Sequence, residues 1–154
     1  MNTALKMFSV LLMDAAEGDN WTGINVQQAL KDIPAEKAIR KLNMDHLSIA
    51  ELTAHLTCWN KVMVKRLEGQ NYQPTKEEDF PVFNKLSEEE WDSLKLEFMR
   101  SFHELKNKLE TLEDAILIQP IFEGASSAFR NLYGQLSHLH YHLGQIVLLK
   151  KMLP

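Results

Sequence analysis

The stretch SHLHYHLGQI, residues 137–146, places three histidines within five positions. Apolar residues around it recur every three or four positions, which predicts an α-helix; they are Phe129, Leu132, Leu136, Leu143, Ile146 and Val147. On a helix, His138 and His142 lie one above the other, whereas His140 points nearly the opposite way. Imidazole nitrogens bind zinc, nickel, copper and iron, so this pair predicts two metal ligands. By itself, however, such a pair is more often two solvated or hydrogen-bonded histidines.

Composition indicates a globular protein. A length of 154 residues predicts a single domain over 1–154, with 45% hydrophobic and 25% charged residues. The net charge of -4 argues against a nucleic-acid partner. No apolar run reaches the roughly twenty residues of a membrane span, and the first residues lack the features of an export signal. The lone Cys58 fits a reducing compartment, so we expect a cytoplasmic protein.

Apolar periodicity predicts four long helices, over 3–16, 49–67, 88–112 and 127–152. Two short helical pieces, 26–31 and 35–42, fall in the connection between the first two. Capping boxes beginning at Ser48 and Ser87 indicate where the second and third long helices start. Residues 69–81 are predicted to be a polar loop. With no convincing strand pattern, the sequence predicts an all-α fold, a four-helix up-down bundle with a long connection between the first two long helices.

A third nitrogen ligand is offered by the second long helix. His55 lies at the edge of its apolar face, and His138 and His142 lie beside the apolar face of the last helix. Bundles assemble metal sites from side chains on facing helices. We therefore expect the three histidines to meet at a site open to solvent on one side. Three protein ligands leave positions for water or substrate, as in catalytic metal sites.

Two segments resemble the DinB-like (YfiT-like) superfamily of metal-binding four-helix bundles. They are SIAELTAHLTCWNKVMVKRLEG, residues 48–69, and LYGQLSHLHYHLGQIVLLKKML, residues 132–153. The loop at residues 79–81, Trp91 and the step at residues 144–145 also fit that family. The resemblance implies that His55, His138 and His142 bind a divalent metal ion. Zinc or nickel is the first expectation, with iron or manganese as alternatives.

Characterised members of that superfamily include thiol-dependent transferases and isomerases. The resemblance therefore implies a metal-dependent enzyme, a thiol-dependent S-transferase or a hydrolase, that activates a thiol or water. A small-molecule substrate such as a low-molecular-weight thiol and a homodimer are the expected partners. No residue is singled out as a general base or as a catalytic residue. The alternatives are a non-catalytic metal-binding or stress-related protein, and a helical dimerisation module with incidental histidines.

The remaining chemistry-bearing residues have structural interpretations. We expect a packed or interface position for His140, a surface loop for His46 and a solvent-facing position for His103. Cys58 could face the same groove as His55, but a small buried filler is the favoured role. Glu51 is interpreted as a helix cap rather than as a partner of His55. Trp59 and Tyr141 are expected mostly in the core, and the acidic runs at residues 76–79 and 87–90 on solvated faces.

Overall fold

Seven α-helices are found among the described residues, 3–43 and 46–154, of the computed structural model. Four are long: α1 (Thr3–Ala16), α4 (Ile49–Leu67), α6 (Glu88–Glu110) and α7 (Ala128–Met152). Three are short: α2 (Val26–Leu30), α3 (Ala35–Ala38) and α5 (Lys76–Asp79). The described residues contain no strand, apart from an isolated antiparallel bridge between Pro120 and Ser127. The predicted all-helical class is confirmed.

The long helices bury their apolar faces against one another. Helix α4 packs against both α6 and α7, and α1 packs mainly against α6. The largest fully buried side chains are Trp91, Phe98 and Phe102, all on α6. Burial of a large apolar side chain stabilises the fold by about 1.5–3 kcal/mol, so these contacts hold α4 at a fixed position. That position brings one edge of α4 beside α7.

Side-chain caps determine where the long helices start. The Ser48 hydroxyl accepts a hydrogen bond from the Glu51 amide, and Ser87 does the same for the Glu90 amide. Each glutamate in turn accepts from the amide of its serine, as predicted. The bounds of the long helices match the predicted ones, except that α6 ends at Glu110 and α7 begins after its cap, Ser127.

Two local predictions are wrong, and one segment without a prediction is ordered. Helix α3 ends at Ala38 rather than at residue 42, and Lys41, which lies beyond its end, pairs with the buried Glu51 carboxylate at 2.8 Å. Residues 69–81 are not all loop, since they contain α5, whose start is capped by Thr75. The apolar run at residues 115–118 belongs to a 3₁₀ helix, Asp114–Ile118. Across residues 3–43 and 46–154, none of the helices has the length and apolarity to cross a membrane.

Candidate metal centre

Three histidines from two helices meet at the contact between α4 and α7. His55 lies on α4, and His138 and His142 lie one turn apart on α7. One potential ligand atom from each lies within 4.8 Å of the others. The Nε2 atoms of His55 and His138 are 3.0 Å apart. The structure thus brings together all three histidines that the sequence singled out.

The centre is more enclosed than the sequence predicts. His55 is 4% exposed and His142 9%, while His138 is half-buried. Two of the three rings are therefore buried, and His138 has the partial exposure expected for a site that is open on one side. Phe80, which follows α5, stacks on the His55 ring with centroids 4.5 Å apart. Helix α5 packs on α4, so this segment covers the centre from outside.

Asp79, the last residue of α5, orients His55. The Nδ1–H of His55 donates to the Asp79 carboxylate at 2.7 Å, and the Trp59 indole N–H donates to the same oxygen at 2.7 Å. The carbonyl of Asp79 also lies 3.1 Å from Nδ1. A carboxylate behind a ligating histidine fixes its tautomer and ring orientation. The sequence interpretation of residues 76–79 as a solvated acidic run is wrong for Asp79. The capping box at Thr75 and Glu78 was the available signal that this segment is ordered.

Gln145 orients the second buried ring. The Nδ1–H of His142 donates to the Gln145 side-chain oxygen at 2.6 Å, three residues further along α7. With Nδ1 protonated on both His55 and His142, their Nε2 atoms carry lone pairs, a tautomer assignment that follows from the acceptors present. His55 Nε2 therefore accepts from His138 Nε2–H across the 3.0 Å contact.

The surroundings favour neutral imidazoles. Burial, together with His142 and His55 nearby, lowers the pKa of His138 to about 4. Burial also lowers the pKa of His142, although its hydrogen bond to Gln145 acts in the opposite direction. Neutral imidazole is the form that binds metal ions. At neutral pH these two rings can therefore act as ligands without first losing a charge.

The donor set fits a divalent transition-metal ion. Two nitrogens bound to one zinc ion at about 2.0–2.1 Å lie roughly 2.9–3.4 Å apart for bond angles from a right angle to the tetrahedral value. The separation of 3.0 Å between the Nε2 atoms of His55 and His138 falls within that range, and the ligand atoms of all three histidines lie within the wider limit of 4.8 Å. Three imidazoles are a nitrogen-only set, which suits zinc, nickel, copper or iron better than magnesium or calcium.

Two cavities flank the histidines. The first, of about 370 Å³, is lined by His55 and His138 together with Trp59, Arg66 and Arg130. The second, of about 450 Å³, is lined by His142 and mainly apolar side chains, which include Phe80, Tyr141 and Leu148. We call them the arginine cavity and the apolar cavity. A reacting group at the histidines can be approached from either side.

The other predicted histidines stand apart from the cluster. His140 is half-buried, and its Nδ1–H donates to the Leu136 carbonyl at 2.9 Å. His103 is exposed on α6, as predicted. His46 is exposed, as predicted for a surface loop, and it also lines the apolar cavity.

Cys58, Glu51 and the aromatic residues complete the comparison. Cys58 is half-buried and lines a separate cavity with Lys61 and Tyr72, so the idea that it shares a groove with His55 is wrong. Burial raises the pKa of its thiol to about 11, which disfavours the thiolate. Glu51 caps α4, as interpreted. Tyr141 is 64% exposed, which contradicts its predicted core position, and Trp59 is half-buried at the arginine cavity.

Comparison with known proteins identifies one family. The sequence profile of the DinB superfamily matches residues 21–146, which include all three histidines. Searches of curated proteins and of solved structures found no significant match.

Proposed function

The chain belongs to the DinB superfamily, and from this membership and the site geometry we propose that it binds a divalent metal ion through His55, His138 and His142. The observation that carries the proposal is the orientation of the rings. Asp79 and Gln145 accept the Nδ1 protons of the two buried histidines, which leaves both Nε2 lone pairs on the ligand side. Histidines that only formed hydrogen bonds would not need their Nε2 lone pairs to point toward the same place.

The proposed architecture is a four-helix up-down bundle formed by α1, α4, α6 and α7, in one domain over residues 1–154. Mutual packing of the four long helices supports it. The lone cysteine supports a cytoplasmic location. A homodimer is proposed from the superfamily resemblance alone.

Zinc or nickel is the proposed metal, with iron or manganese as the less favoured alternatives. An all-imidazole site suits zinc and nickel, whereas manganese prefers oxygen ligands. Affinity alone would select copper, so the metal held in the cell depends on which ions are available there.

The proposed activity is that of a metal-dependent enzyme, a thiol-dependent S-transferase or a hydrolase. A bound divalent cation would supply Lewis acidity, which lowers the pKa of a thiol or of water. Asp79 and Gln145 hold the protons on Nδ1 of the two buried rings. His138 would hold the ion through Nε2 in the tautomer that carries its proton on Nδ1. The apolar cavity beside His142 supports a second, less polar substrate such as an electrophile, while the arginine cavity lies on the other side.

Non-catalytic metal binding is the second candidate function. It is supported by the state of Asp79, the acid at the site. Its carboxylate already accepts hydrogen bonds from His55 and Trp59, so it is not free to act as a general base. No other carboxylate lines either of the two cavities among residues 3–43 and 46–154. A general base would have to come from the substrate or from solvent.

Metal analysis of protein purified without a histidine tag tests the proposal. We expect about one divalent ion per chain in the wild type, strong loss in His55→Ala, His138→Ala and His142→Ala, and no loss in the matched surface control His103→Ala. Equal metal content in all four variants would contradict the proposed ligands. Thiol-transfer and hydrolysis assays on metal-loaded protein then separate the enzyme from the non-catalytic candidate, which predicts no turnover.

A further inference from the structure

The arginine cavity brings two cations to the same space as two of the histidines. Arg66 lies eleven residues after His55 on α4, which is about three helical turns and hence the same face. Arg130 lies eight residues before His138 on α7 and also lines this cavity. The helix contact that assembles the histidines therefore also assembles the arginines.

The guanidinium groups of Arg66 and Arg130 lack an acidic ion-pair partner in the part of the chain that the structure describes. Arg66 donates only to neutral acceptors, the Tyr72 carbonyl at 3.4 Å and the Gln73 side-chain oxygen at 3.2 Å. The chain has 21 acidic and 17 basic residues, whereas among the described residues this cavity is lined by two arginines and a single acid, Asp79.

Arg66 is held in place by aromatic rings. Its guanidinium lies 5.3 Å from the Trp59 ring centroid and 5.8 Å from that of Phe122. Burial lowers its pKa below the usual value, which reflects the cost of removing the cation from water. A planar guanidinium fixed on aromatic faces is preorganised for the two oxygens of a carboxylate or phosphate.

The acid and the amides that line this cavity already have partners. The Asp79 carboxylate accepts from His55 and Trp59. The Asn131 amide donates to Ser126 and Ser127, and the Gln135 amide donates to Asn60 at 2.7 Å. Arg130 and the N–H groups of Arg66 that do not donate to Tyr72 or Gln73 are therefore the main donors left for a ligand in the cavity.

On the premise of the proposed function, we infer that the arginine cavity binds the oxyanion group of a small substrate, with Arg130 and Arg66 as its donors. The substrate that reacts at the histidines then carries a carboxylate or a phosphate at the far end of this cavity. A volume of about 370 Å³ limits the bound part to a compact molecule.

Gly134 allows the cavity to be closed without touching either arginine. It lies four residues after Arg130 and four before His138, on the face of α7 that lines the cavity. A Cβ atom placed there meets no heavy atom within 4 Å. A leucine at this position would fill the cavity while the helix stays intact, since leucine is a good helix former.

Calorimetric titration at low ionic strength with inorganic phosphate and with succinate tests the inference. Both the zinc-loaded and the metal-free protein are titrated. Because zinc itself attracts phosphate, the comparison separates phosphate bound by the metal from phosphate bound by the arginines. The Trp59 indole N–H resonance reports binding at the cavity. We expect one saturable site, weakened about tenfold or more in Arg130→Gln and Arg66→Gln, since each removes a charge-assisted hydrogen bond. The preferred probe identifies the anion as phosphate or carboxylate.

Two further variants make the result specific. Gly134→Leu should lose anion binding while its circular dichroism and zinc content match the wild type, and the exposed Arg100→Gln should bind like the wild type. Unchanged affinity in Arg130→Gln, Arg66→Gln and Gly134→Leu would overturn the inference even if zinc still binds. Arginine-dependent anion binding in a protein that takes up no zinc would support the cavity and instead overturn the proposed metal function.

Discussion

Asp79 is the residue whose role is clearest at the centre, because it connects the histidines to the segment that covers them. Replacement of Asp79 by Asn keeps the shape of the side chain but removes the charge behind His55. Loss of such a partner typically lowers metal affinity by about 10–100-fold, and we expect a decrease of that order. Competition with a zinc chelator measures it. Glu77→Gln, an equal change of charge on an exposed residue of α5, should leave the affinity unchanged; equal losses in both would mean that only net charge matters.

At this scale the sequence predicts which three histidines meet but not the residues that orient them. His138 and His142 follow from a spacing of four on one helix, and His55 from its place at the edge of an apolar face. Asp79 reaches His55 across 24 positions of the chain. That contact depends on how residues 69–81 fold over α4, and no periodicity describes such a segment. Spacing alone also gives no measure of how far Phe80 encloses the rings.

Helix α7 carries two glycines in its interior, and Gly144 is the one outside the arginine cavity. A Cβ atom there meets nothing within 4 Å. Gly144→Ala should therefore stabilise the protein by up to about 1 kcal/mol, the difference in helix propensity between the two residues. Urea denaturation followed by circular dichroism measures the change.

Substitution of Gly69 by alanine is the control, because it should change the stability in the opposite direction. Gly69 ends α4 with φ at +81°. Alanine is strained in that left-handed conformation by roughly 1 kcal/mol, so Gly69→Ala should destabilise the protein. A destabilised Gly144→Ala variant would contradict the open space beside α7.

The start of α1 depends on an acid far away in sequence. The Asp114 carboxylate accepts hydrogen bonds from the Leu5 amide at 2.9 Å and the Ala4 amide at 3.0 Å. These bonds lower the pKa of Asp114 below its usual value of 3.8. Asp114→Asn should therefore lower the free energy of unfolding at neutral pH. The contribution of Asp114 is present above the unfolded-state pKa and lost as pH falls through the lower folded-state pKa.

Urea titrations at neutral pH and below about pH 4 test this cap. Protonation of Asp114 at the lower pH should reduce the difference in the free energy of unfolding between wild type and variant. Asp19→Asn, a change in an exposed loop, should show no such gap at either pH. A gap that widens on acidification would show that Asp114 is not needed in its charged form. The sequence predicts the start of α1, yet it could not assign this cap, since the two partners are 109 positions apart.

For the whole molecule, the sequence predicts the helical class because each long helix has its own apolar face, and two of the four also begin with a capping box. The segments it predicts poorly are those whose shape depends on a distant partner. Beyond the end of helix α3, Lys41 pairs with Glu51 of α4, and the Trp91 indole N–H donates to the Ile33 carbonyl at 2.7 Å. Local patterns therefore account for the long helices and tertiary contacts for the connections.

The centre joins α4 to α7, so a metal ion bound there should stabilise the whole fold. A ligand that binds only the folded state adds about 2.7 kcal/mol at a free concentration one hundred times its dissociation constant. We expect zinc to raise the urea midpoint of wild-type protein with an unchanged slope, because the surface exposed on unfolding stays the same. His142→Ala should lose this increment, whereas His103→Ala, on the exposed face of α6, should keep it. An equal zinc effect in both variants would mean that the ion binds elsewhere, and that the three rings meet at the helix contact without holding a cation.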